Sequence, residues 1–125
     1  MSGAKYPPSE VIDWSIFSQI LMMDEDENER DFSKSIVENY SEQAETTFAD
    51  MDAALGMNDI PKLMRLGHFL KGSSASLGLI KVQSTCEEIQ HVDTSAEHPA
   101  DLIARVRQEY AEARLWLLRF FSQEL

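Results

Sequence analysis

Very little in this chain can cross-link it, span a membrane or hold nucleic acid. One cysteine, Cys86, stands among 125 residues, so no internal disulfide can form. That suits a reducing compartment, and the role expected of Cys86 is that of a small apolar core residue rather than a redox centre. No stretch approaches the roughly 18 uninterrupted apolar residues of a membrane-spanning helix. Met1-Ser2-Gly3-Ala4-Lys5-Tyr6-Pro7-Pro8 has no apolar signal core. These absences predict a cytoplasmic protein, and at 14.2 kDa one small enough to reach the nucleus by diffusion or with a partner. Positive charge is scarce too. Eleven basic residues against 22 acidic ones give a formal charge of −11, which repels a phosphate backbone, and no nucleic-acid partner is expected. There is no glycine-rich phosphate loop, no G-x-S-x-G elbow and no magnesium-binding acidic set on strands. Neither ATP binding nor autophosphorylation is therefore expected. His91 and His98 lie in or near a polar stretch, without a helical His-x-x-x-His pair or supporting cysteines, and no metal is expected there.

What is present is helical periodicity, with no period-two pattern to compete with it. The length leaves room for one domain with one core. Residues 1–8 read as a flexible tail ended by Pro7-Pro8, and residues 9–125 as the domain. Ser9 or Asp13 can cap a short helix to about Met23. Its apolar content (Val11, Ile12, Trp14, Ile16, Phe17, Ile20, Leu21, Met22, Met23) exceeds what one packed face needs. The acidic run Asp24-Glu25-Asp26-Glu27-Asn28-Glu29 reads as a solvated loop favourable to a helix N-terminus, or as a contact for a basic rim on a partner.

A long helix is expected from about Asp31 to Leu55, with Phe32, Ile36 or Val37, Tyr40, Ala44, Thr47, Met51 and Ala54 on its apolar face. Gly56 and Asn58 end it; Asp59 can cap the next helix, Pro61 sits in that helix's first turn, and Gly78 breaks it after Leu77. Leu79, Val82, Cys86 and Ile89 mark a fourth helix, Asp93 to Pro99 a loop, and Ile103, Val106, Tyr110, Ala113, Leu117 and Phe120 a C-terminal helix. The fold class is all-α: an antiparallel up-down four-helix bundle with a short additional N-terminal helix across one end.

The chemistry concentrates on the third of these helices. At about 100° per residue, Leu63, Leu66, Leu70 and Leu77 cluster opposite His68, while Met64, Arg65, Lys71, Gly72 and Ala75 share its face. His68 is thus expected in water, one turn from a cation and from bare backbone. Gly72 costs about 1 kcal/mol in a helix interior, and accepting that cost beside an exposed imidazole argues for clearance. Lys71 can screen an anion held on His68 as a compact cation. Ser73 is expected toward the core, bonding to backbone or tightening helix packing.

The run Leu66-Gly67-His68-Phe69-Leu70-Lys71-Gly72-Ser73-Ser74-Ala75, followed by Leu77-Gly78-Leu79, resembles the phosphorylatable motif of histidine-containing phosphotransfer (HPt) domains, roughly His-x-Leu-Lys-Gly-Ser-Ser. It is most similar to the fungal, yeast-type members. Ser9 to Trp14, Asp31-Phe32-Ser33-Lys34, Gln43 to Ala49 and Cys86-Glu87-Glu88-Ile89-Gln90 extend the likeness over most of residues 9–92. The resemblance implies that His68 becomes the phosphohistidine and that Gln90, on the adjacent helix, bonds near it and orients it; a solvent-facing glutamine is the plain alternative. Two departures stand out. Thr94 occupies the register of a yeast-type arginine, leaving Arg65 or Lys71 to supply the positive field, and a long acidic insertion before the last helix is missing.

The expected function is that of a phosphorelay shuttle, a phosphotransfer intermediate rather than a conventional enzyme. His68 would accept a phosphoryl group from a receiver-domain aspartate of a hybrid sensor kinase and pass it to the receiver aspartate of response regulators. The resemblance implies a two-component pathway of fungal stress or osmotic signalling. No cofactor is expected on this chain, magnesium belonging to the receiver, and a monomer is expected. Ile16, Phe17, Ile20, Met23, Met64, Phe69 and Ala75 are expected to supply the docking surface. The competing reading is a non-catalytic helical adaptor that binds receiver domains through the same apolar patch. A histidine-based hydrolase lacks a nucleophile–base pair.

Overall fold

A computed structural model describes residues 11–94 and 98–124. The expected tail over residues 1–8, the alternative cap Ser9 and the loop residues 95–97 lie outside the described residues. Five α-helices are described: α1 (Trp14–Leu21), α2 (Asp31–Gly56), α3 (Ile60–Leu77), α4 (Ile80–Gln90) and α5 (Pro99–Glu124), with a short 3-10 turn, Val92–Thr94, after α4. α2 packs on α3, α3 on α4, α4 on α5 and α5 back on α2, closing the bundle, while α1 lies against α2 and α3. Among the described residues no helix is long and apolar enough to cross a membrane.

Local chemistry sets the helix ends. Asp13 caps α1, its Oδ1 accepting from Ser15 N at 3.1 Å. Asp59 caps α3 by accepting from Lys62 N at 3.2 Å, and Pro61 in the first turn gives up no helical hydrogen bond. Gly78 ends α3 with φ +80°; Leu79 N donates to Ser74 O at 3.0 Å and Gly78 N to Ala75 O at 3.1 Å, the paired bonds of a Schellman ending. A Cβ at Gly78 would also meet Asp13 O at 2.8 Å, so this residue lets the start of α1 cross the end of α3. An Asp13 N to Gly78 O bond of 2.7 Å and an isolated antiparallel bridge between Ile12 and Leu79 fasten that crossing.

The start of α2 is held from outside. Asp24 accepts from Ser33 N at 2.8 Å and from Ser33 Oγ at 2.7 Å, and Arg30, at φ 56°, pairs with the same carboxylate. The first residue of the acidic run is therefore a buried cap, whereas Glu25 to Glu29 are exposed as a solvated loop.

The core is apolar and continuous through all five helices. Every residue expected inward on α5, from Ile103 to Phe120, is buried, as are Leu63, Leu70 and Leu77 on α3 and Val82, Cys86 and Ile89 on α4; Leu66 is half-buried. Two assignments change. Phe32, expected on the inner face of α2, is 41% exposed; Ser33 takes the inward position because it bonds Asp24. Phe17, expected in the docking patch, is 0% exposed. It sits edge-on to Trp116, Phe120 and Phe121 with ring centroids 5.9, 5.5 and 6.3 Å away, so it anchors α1 onto α5.

Candidate functional site around His68

The buried residues of α3 (Leu63, Gly67, Leu70, Ser74, Leu77) recur every three or four positions, and that stripe fixes the opposite face to solvent. His68 lies on this outer face and is exposed. At Gly72, one turn on, an added Cβ would meet nothing within 4 Å, so the approach to the imidazole is unobstructed on that side. The interior of the same helix is held by a buried hydrogen bond, Tyr40 Oη to Ser74 Oγ, at 2.7 Å. Burial pushes the Tyr40 phenol well above its ordinary range, against a smaller opposing effect of that bond. Ser74, rather than Ser73, is thus the core serine; Ser73 is half-buried and its hydroxyl points back to Phe69 O at 3.4 Å.

An open groove of about 730 Å³ runs beside the histidine, lined by Pro61, Met64, Arg65, His68, Gln90, His91 and Asp93. Its depth depends on Gly67, where a Cβ would lie 2.8 Å from Ile89 Cγ2, 2.9 Å from Gln90 N and 3.1 Å from Cys86 O. Only glycine lets α4 come this close to α3, and this approach brings Gln90 beside His68. The two side chains share the groove without a hydrogen bond between them. Gln90 Oε1 is buried and has no hydrogen-bond partner among the described residues. A buried acceptor left open at a groove wall is ready for a donor that arrives with the site's occupant.

Lys71 does not stand free over the groove. Its Nζ is 2.8 Å from Glu87 Oε1 on α4, and Glu87 Oε2 is 3.0 Å from His91 Nε2. The Lys71 hydrogen bond holds the Glu87 carboxyl below the usual carboxylate range, with His91 adding to the effect. Lys71 lies one turn from His68 on α3, as its spacing implied, but Glu87 was not marked by the sequence, because a pair across two helices depends on their packing register. Arg65 is exposed and lines the groove, whereas Thr94 ends the 3-10 turn.

The expected docking residues fall into three groups. Met23 and Phe69 are exposed, at 62% and 47%; Ile16, Ile20, Met64 and Ala75 are half-buried; Phe17 is closed to any partner. Met22, at 81%, is the most open of the large apolar side chains on this stretch, although its flanking position gave no reason to single it out.

A family model described as the Hpt domain matches residues 35–116. The multistep phosphorelay regulator 1 of Schizosaccharomyces pombe is 47% identical over 129 residues, spanning 91% of this chain and 43% of the relative. The phosphorelay intermediate protein Ypd1 of Saccharomyces cerevisiae is 47% identical over 92 residues, spanning 73% of this chain and 54% of the relative. The chain therefore covers about half the length of these curated relatives. A crystal structure of yeast Ypd1 matches with a TM-score of 0.80 at 29% identity, covering 92% of this chain and 96% of that one. A co-crystal structure of S. cerevisiae Ypd1 with the receiver domain of its downstream response regulator Ssk1 matches with a TM-score of 0.80 at 34% identity, covering 94% and 99%. Fold, motif and sequence agree, and the chain belongs to the Hpt domain family.

Proposed function

We propose that this protein is a phosphorelay shuttle that carries a phosphoryl group on His68 between receiver domains. The observation that carries the reading is the exposed imidazole of His68 next to the bare backbone of Gly72, where nothing lies within 4 Å of an added Cβ. A receiver's active site can then close over the histidine. In the first transfer, a ring nitrogen of His68 forms the N–P bond as the P–O bond to the receiver aspartate breaks, and the carboxylate leaves with the electron pair. In the second, an aspartate of another receiver forms the P–O bond and the imidazole leaves. A magnesium ion on the receiver would supply compensation for the phosphoryl charge; this chain contributes position. Gln90 Oε1, buried at the groove wall without a partner among the described residues, is the acceptor for a ring N–H of His68 once the histidine is phosphorylated, a bond that would fix the ring's orientation. Exposed Met22, Met23, Phe32 and Phe69, with the partly exposed Ile16, Ile20, Met64 and Ala75, provide the receiver contact.

The relation to a Ypd1 that was crystallised with a response-regulator receiver supports this partner class. A hybrid sensor kinase upstream, osmotic or other stress as the signal and a cytoplasmic location complete the reading. Incubation with a phosphorylated receiver domain tests it. The label should be acid-labile, base-stable and absent from His68→Gln, and it should chase onto a second, unphosphorylated receiver. Receiver binding without any label on the native chain would instead establish the adaptor reading.

A further inference from the structure

Beside the phosphorylatable histidine, one carboxylate from α4 engages two basic side chains. Glu87 Oε1 is 2.8 Å from Lys71 Nζ and its Oε2 is 3.0 Å from His91 Nε2. Lys71 shares a helix face with His68, and His91 lines the same groove as His68. At rest, one of the two cations three residues from the histidine on α3 is thus already matched by an anion, while the other, Arg65, lines the groove. We propose that Glu87 is a positioning residue of the phosphorylated site, holding Lys71 at rest and releasing it to the phosphoryl group once His68 is modified. This rests on the function proposed above.

The physical case is a competition between two anions for one ammonium. A phosphoryl group carries roughly 1.5 to 2 negative charges near neutral pH, against one on a carboxylate. Hydrogen bonds from an ammonium to such oxygens are short and charge-assisted. The existing pair is weak enough to lose: Glu87 is about half exposed and Lys71 more than a quarter, so solvent screens their attraction. The lysine stem is flexible and its head group compact, so it can move without disturbing α3. Glu87 is not stripped bare when Lys71 leaves, since the His91 contact on its other oxygen remains.

The exchange has a consequence for the lifetime of the phosphohistidine. In hydrolysis, a water oxygen forms a P–O bond as the N–P bond breaks. The imidazole keeps the electron pair and takes up the proton that water releases, giving free histidine and inorganic phosphate. In the loose transition state charge leaves the phosphoryl oxygens for the nitrogen, so an ammonium paired with those oxygens alone, and with neither the attacking nor the leaving atom, holds the intact phosphohistidine more strongly than the transition state. By competing for Lys71, Glu87 shortens the life of the phosphorylated state.

Loading the full chain with phosphoramidate, a small donor that needs no receiver, separates this inference from the function itself. Decay of the ³¹P signal that is missing from His68→Gln is then followed. Glu87→Gln should lengthen the half-life about two- to fivefold, the range open to an exposed ion pair. The same change in a Lys71→Ala background should leave the half-life unaltered. An unchanged half-life in the single variant overturns the proposal. Equal lengthening with and without Lys71 also overturns it, because Glu87 would then act only as a bare charge. Failure of the native chain to take label from a phosphorylated receiver would count against the shuttle reading instead.

Discussion

Gly67 and Gly72 lie on neighbouring turns of α3, yet a side chain would act oppositely at each. At Gly67 a methyl would press on Ile89 Cγ2 at 2.8 Å and on the Gln90 backbone nitrogen at 2.9 Å, and backbone cannot rotate aside. Gly67→Ala should cost about 1 to 3 kcal/mol, as overpacking does, measured as a lower urea midpoint at unchanged slope. It should also slow phosphoryl transfer, because the displaced segment carries Gln90. At Gly72 the space is open, so Gly72→Gln should stabilise the helix by several tenths of a kcal/mol. Transfer from a phosphorylated receiver should nevertheless slow, since the new side chain stands where the partner must close. A stabilised Gly72→Gln protein with native transfer rates would remove the clearance argument. The local motif marked Gly72, which sits among polar residues beside His68. Gly67 looked like any helical glycine, because what it accommodates lies on another helix.

At the scale of elements, boundaries were legible wherever a short-range signal sets them. Asp59 with Pro61 opens α3 and Gly78 closes it at the expected residues. The three-four alternation likewise gave the inner face of α5 correctly. Long-range partners were not legible. Phe17 belongs to a surplus of apolar residues on α1, and periodicity alone could not say which of them meet the α5 aromatics. Asp24 looked like part of a solvated run, although it holds Ser33 nine positions along the chain. Asp24→Ala removes the acceptor for Ser33 N and Ser33 Oγ and leaves partly buried Arg30 without that carboxylate. The expected loss is about 1 to 2 kcal/mol, the upper range for a lost cap, read by thermal melting. Glu27→Ala, an exposed change in the same loop, should alter stability by less than about 0.5 kcal/mol. Equal small effects from the two substitutions would show that the acidic run is solvated throughout.

Across the whole molecule, three groups buried between helices couple folding to alkaline pH. Burial pushes the Cys86 thiol up to about 12, raises the Tyr40 phenol and, more mildly, raises that of Tyr110, where Glu45 adds to the effect. In an unfolded chain a thiol releases its proton near 8.5 and a phenol near 10. Above those values the unfolded state therefore binds fewer protons than the folded state, and stability falls as pH rises. The contribution of Cys86 is complete below about pH 8.5 and is lost progressively as pH climbs toward about 12. The slope cannot exceed about 1.4 kcal/mol per pH unit for each group. Urea unfolding at a series of pH values from 7 to 11 should thus show a flat region followed by a steepening decline that begins with the thiol. Cys86→Ala creates a small void and lowers stability at every pH, but it should also flatten the decline between pH 9 and 10, before the phenols contribute fully. A variant curve running parallel to the native one through that interval would mean that the buried thiol is not the group being titrated.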